Sequence, residues 1–266
     1  MDAKSIFRTM TTVRFNPGRD LLAVLVSWVL VTGALYTATF VVGSDTSGGI
    51  LYFALYAIVT AALFGVGLPL YWMVVVRKRP LADLGITTRF LGISLVIQVL
   101  LTGLLYFTGL SGATFPSFGE LLPLIALTLT IGFFEALFWR GWVQLRLEDA
   151  FGLVPAILLG SALYALYHIG YGMTASEIIF LFFIGLMFAV IFRLTKNIFI
   201  LWPLFQPMGQ LITLLEENLP LPPIAALGFF EVLLLMLAMV WFASRYHKKH
   251  PLLSHPAKVP AMGGQQ

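Results

Sequence analysis

Cysteine is absent from the 266-residue chain, so neither disulfides nor thiolate metal sites are open to it. Charge is scarce as well. Asp, Glu, Lys and Arg make up 11% of the residues, against roughly a quarter in a soluble domain. Apolar residues make up 59%, and the mean hydropathy is +0.94. These values exclude an ordinary soluble fold and predict an all-α, polytopic membrane helix bundle. The net charge of +4 is scattered over loops and forms no single stripe, so membrane lipid is an expected partner and nucleic acid is not. No cleavable signal peptide is expected, because Lys4, Arg8, Arg14 and Arg19 precede the first apolar run without an apolar core of their own.

What the chain does have is long apolar runs. Eight segments can each cover a bilayer core of about 20 residues: Leu21–Val42, Ile50–Val76, Phe90–Leu110, Leu121–Leu145, Leu153–Gly170, Glu177–Phe192, Ile198–Leu215 and Ile224–Ser244. With eight spans all 16 Lys and Arg fall on one side. The loops Gly43–Gly49, Ser111–Glu120, Tyr171–Ser176 and Glu216–Pro223 carry none. By the positive-inside rule both termini are then cytoplasmic. The expected organisation is a basic N-terminal segment over residues 1–19, a membrane domain over 20–245 and a disordered basic tail over 246–266. Trp28, Trp72, Trp142 and Trp241 read as interfacial anchors or packing residues.

Few ionisable groups remain inside the spans: Glu135 and Arg140, then His168, then Glu231. Such residues usually face the inside of a bundle and carry function. The fourth and fifth segments form a hairpin turning at Phe151-Gly152. Glu135 lies 16 residues before Phe151, and His168 lies 16 residues after Gly152, so the two are expected at one depth. A carboxylate and an imidazole at one level can share a water or a metal ion, or can simply tie the hairpin together. Gly132 shares the face of Glu135 and either admits a substrate or permits close packing. Arg140 lies round the helix from Glu135 and is expected to reach towards the cytoplasmic interface. Tyr164 is one turn before His168. In the seventh segment Pro203, Pro207 and Gly209 predict a broken helix, and Gln206 and Gln210, one turn apart, read as a polar wall or as interhelical ties. His247, His250 and His255 read as part of the solvated tail.

Together these residues resemble the CPBP family (CAAX protease and bacteriocin-processing, or Abi) of intramembrane proteases. Glu135, Arg140 and Gly141 fit its Glu-Glu-x-x-x-Arg-Gly motif, with Ala136 in place of the second Glu. Tyr164-x-x-x-His168 is similar to Phe-x-x-x-His. Gly185, Ala189, Thr195, Asn197 and Leu201-Trp202-Pro203 fit the third region, where Met208 and Ile212 replace a His and its polar follower. The loop from Arg77 to Gly85 also looks like the family's, and the family-like core lies near 77–215. The resemblance implies a Glu-activated water attacking a peptide bond. Glu135, His168 and Arg140 would be the catalytic group, and Tyr164, Asn197, Gln206 and Gln210 would line the site. Zinc on Glu135 and His168 is the candidate cofactor, although these two fall short of the usual three protein ligands. The implied substrate is a peptide or protein, prenylated in the CAAX branch, and the expected location is a prokaryotic plasma membrane. The alternative is an inactive member acting as a membrane scaffold or bacteriocin-immunity protein. A transporter fits less well, because the paired helix interruptions of inverted repeats are missing.

Overall fold

The computed structural model describes residues 12–43, 49–113 and 115–250. The expectations for residues 1–11 and for the tail over 251–266 lie outside the described residues. No strand occurs among the described residues. Seven helices are long and apolar enough to cross a membrane: α1 Arg19–Val42, α2 Gly49–Val76, α3 Leu91–Leu110, α4 Phe118–Phe151, α5 Leu153–Tyr171, α6 Ala175–Thr195 and, last in the chain, α8 Ala225–Lys249. Between α6 and α8 lies the short α7, Phe205–Glu216. The protein is an all-helical, multi-pass integral membrane protein.

The eighth expected span is therefore different in kind. With 12 residues, α7 covers about 18 Å, well short of the roughly 30 Å of a bilayer core. A single 3₁₀ turn, Ile198–Ile200, precedes it. Pro203 and Pro207 have no backbone N–H and restrict the residues before them, so a continuous helix cannot form there. The broken segment nevertheless advances beside α3. Ser94 Oγ donates to Thr195 Oγ1 at 3.0 Å, and Gly209 and Ile212 come up against Leu105 and Gly109 further along.

Gln98 of α3 makes the break tolerable. Its Nε2 donates to the Phe199 carbonyl at 3.2 Å, and its Oε1 accepts from the Leu204 N–H at 2.8 Å. One buried amide thus satisfies a backbone acceptor and a backbone donor that the break leaves without helical partners. Asn197 does the same for the loop before α3. Its Nδ2 donates to the carbonyls of Thr87 (2.9 Å) and Arg89 (3.0 Å), and its Oδ1 accepts from the Phe199 N–H.

The central element is α4. Its most apolar window is 78% buried, against 11% for α3, so α4 is the core around which the others pack. Bare glycines let neighbours reach it. A Cβ on Gly65 would overlap the Phe134 ring, and one on Gly141 would collide with the Leu84 carbonyl. Gly152, at φ +91°, turns α4 into α5 in a backbone conformation that L side chains rarely adopt.

The basic groups of several elements meet at one end. Arg77 pairs with Asp20 at 2.9 Å. Lys196 and Arg193 reach Glu148 at 2.9 and 3.4 Å, and Arg146 reaches Asp149 at 3.3 Å. The backbone N–H groups of Arg14 and Asn16 donate to Phe151 and Ala150, which clips the N-terminal approach onto the hairpin turn. At that same end α8 runs on to Lys249, so Tyr246 to Lys249 are helical although the tail was expected to begin at 246. Three of the tryptophans hold other helices: Trp28 Nε1 donates to the Leu163 carbonyl, Trp72 Nε1 to Asp20 and Trp142 Nε1 to Ser27.

Replacing Gln98 with Leu strips partners from two buried backbone groups at once. The expected loss is about 2–4 kcal/mol, read as a lowered unfolding midpoint in detergent. Leu100→Ala on the exposed face of the same helix is the control and should change little.

Candidate functional site

The site assembles where α4, α5 and α7 meet. Glu135 is 3% exposed. Just after it, over Ala136–Gln144, α4 winds in wider π-type turns, as parts of α1, α2 and α3 also do. The carboxylate is held by three donors. Tyr167 O–H donates to Oε1. Gln206 Nε2 and Gln210 Nε2 donate to Oε2 at 2.6 and 2.9 Å. Both glutamines can reach because α7 lies close to α4 at Gly132, where an added Cβ would sit 2.8 Å from Pro207 Cγ. Gly132 serves packing here, not substrate entry. Glu135 forms no ion pair among the described residues.

His168 reaches the expected level but not the carboxylate. It is 5% exposed, and its Nδ1 lies 2.8 Å from the Tyr164 carbonyl. A carbonyl only accepts, so that nitrogen carries the proton and Nε2 bears the lone pair in the neutral ring. Its neighbour Tyr167, whose ring centroid is 4.2 Å from that of His168, is the α5 residue that bonds to the carboxylate. The hairpin thus places the right depth within one residue and puts a tyrosine hydroxyl, not the imidazole, on the carboxylate. Beyond it the Tyr171 hydroxyl donates to that of Tyr56 at 3.4 Å. Tyr167 was missed from sequence, yet a signal existed. Tyr164, Tyr167, His168 and Tyr171 fall at i, i+3, i+4 and i+7 and form one polar-tipped stripe on α5.

Arg140 does not snorkel. It is 2% exposed, its guanidinium carbon lies 5.3 Å from the centre of the Tyr164 ring, and both Nη1 and Nη2 are buried without a hydrogen-bond partner. A carboxylate one turn earlier would have met it, but that position is Ala136. Ring attraction of about 2 kcal/mol when desolvated only partly offsets such burial. Asn197, expected at the wall, is instead fully engaged with the loop before α3. Glu231 is exposed on α8 and belongs to another surface.

The zinc expectation meets a poor donor set. The groups facing Glu135 present O–H and N–H hydrogens, not lone pairs, and no group of three or more His, Cys, Asp or Glu able to hold a metal exists among the described residues. These residues do not fit the three-ligand requirement of a catalytic zinc.

A buried carboxylate ringed by donors inside a membrane bundle defines a membrane protein with an internal polar site. Comparison with known families narrows this. Residues 116–204, about a third of the chain, match the Rce1-like family, type II CAAX prenyl endopeptidase Rce1-like, which bears out the CPBP resemblance. The matched stretch holds Glu135, Arg140, Tyr164 and His168, and it ends before Gln206 and Gln210. No curated protein and no solved structure gives a significant match.

Tyr167→Phe removes a donor from a buried carboxylate and should lower stability by about 1.5–3 kcal/mol. In a Glu135→Met background the same change should cost less than about 0.5 kcal/mol, since the partner is gone. Denaturant unfolding of the four proteins in detergent measures the coupling.

Proposed function

We propose that the chain is an intramembrane endopeptidase of the CPBP type, with Glu135 as the general base. The observation that carries this reading is the Glu135 carboxylate, buried at the junction of α4, α5 and α7 within the family-matched stretch. Beside it Gln210 Oε1 is a buried acceptor with no partner. A water seated there directs one hydrogen to Gln210 Oε1 and the other to Glu135. Glu135 takes that proton as the water oxygen attacks the scissile carbonyl carbon. Collapse of the tetrahedral intermediate breaks the C–N bond, and the proton passes from Glu135 to the leaving nitrogen. The amide groups of Gln206 and Gln210, beside the carboxylate, serve as donors to the developing oxyanion, and His168, packed against Tyr167, orients the water. The substrate class is a membrane-associated peptide or protein, prenylated as the family description implies. The basic end faces the cytoplasm, and a prokaryotic plasma membrane is the proposed location.

A second reading, an inactive relative serving as a membrane scaffold or immunity protein, is favoured by two observations. The carboxylate already holds three protein donors, and position 208 is Met where the family pattern has His.

Purified protein should cut a farnesylated CAAX peptide. Glu135→Ala should lower the rate about a hundredfold to ten-thousandfold, the usual contribution of a general base, and His168→Ala should lower it less. A cooperatively melting wild type that cuts neither prenylated nor free peptide leaves the second reading standing.

A further inference from the structure

Far from Glu135, at the basic end, α2 and α8 form a groove of about 510 Å³. This lies within the roughly 300–1,000 Å³ range of ligand pockets. The two helices touch where a Cβ on Gly67 would sit 2.6 Å from Met239 Cε, and the groove between them runs on to Lys249. Its walls are apolar over about two turns, with Leu70 and Val74 on one side and Phe242 and Ala243 on the other. Arg245 and Lys249, one turn apart on α8, line its basic end, and no acidic side chain lines it anywhere.

Two further observations bear on what fills it. The cations at this end are not equivalent. Arg77, at the end of α2, is neutralised by Asp20, and Arg193 and Lys196 share Glu148. Arg245 and Lys249 have no ion pair among the described residues. The depth is also marked. The Arg245 guanidinium carbon lies 5.1 Å from the ring centre of Trp241, which is 52% exposed. A half-exposed Trp stacked under an Arg at the end of a span sits at headgroup level.

We propose that this groove is a binding site for an anionic phospholipid, independent of the proteolytic reading. One acyl chain lies along Gly67–Val74 and Met239–Phe242, and the phosphate is held between Arg245 and Lys249. Apolar walls alone would accept any lipid. The two unpaired cations at headgroup depth select the anionic one, as basic pockets between spans do. A free phosphate would leave the apolar walls unused.

The test is native mass spectrometry of the full chain in a neutral detergent, titrated with phosphatidylglycerol or phosphatidylcholine of identical acyl chains. Wild type should bind phosphatidylglycerol roughly tenfold or more tightly than phosphatidylcholine. Arg245→Gln with Lys249→Gln should bring phosphatidylglycerol down to the phosphatidylcholine level. Lys248→Gln, the neighbouring cation that does not line the groove, should leave the preference intact. Equal binding of the two lipids by wild type overturns the proposal. So does a Lys248→Gln effect as large as that of the double variant, which would mean diffuse surface charge. Displacement of phosphatidylglycerol by soluble glycerol phosphate at matched concentration also overturns it, because the groove would then contribute nothing.

Discussion

A carboxylate inside an apolar bundle is the constraint to which the site's architecture answers. Placing an acid at the centre of a span costs about 2.5–3.5 kcal/mol on insertion scales. One hydrogen bond to a charged group returns about 1.5–3 kcal/mol, so a single donor roughly breaks even and three clearly win. Tyr167, Gln206 and Gln210 supply those three. Two of them come from α7, which can approach only because Gly132 has no side chain and because the chain breaks before Phe205. The break leaves backbone groups open, and Gln98 closes them from α3. Acid, break and glutamines form one linked arrangement.

Arg140 shows the opposite outcome. It is as buried as Glu135, but its terminal nitrogens have no partner. The position one turn earlier, where the family pattern carries an acid, is Ala136, and the guanidinium instead rests on the Tyr164 ring. The cation is buried without a counter-ion in contact. Glu135 depends on hydrogen-bond donors in place of charges, and this is why the groups around it look unlike a metal site.

The family match and the site overlap only in part. The match ends at residue 204, so the glutamines that hold Oε2 come from sequence beyond it. The α4–α5 hairpin is the shared part. The α7 contribution, Gln206 and Gln210, lies outside the matched stretch.

The membrane class, the positions of seven of the eight helices and the shared level of Glu135 and α5's polar residues were legible in sequence. They follow from local quantities: hydrophobic length, charge placement and 1.5 Å of rise per residue. The turn at Gly152 let residue counting put Glu135 and α5's polar stripe at one level. Counting could not say which side chain on that stripe touches the carboxylate, because helix rotation and packing angle choose between Tyr167 and His168. Nor could it show that Asn197 turns away to the loop before α3, that Arg140 stays buried, or that the eighth expected span is a short helix after a break stitched to Gln98. Each of these depends on contacts between residues far apart in the chain, so only the packed tertiary structure could decide them.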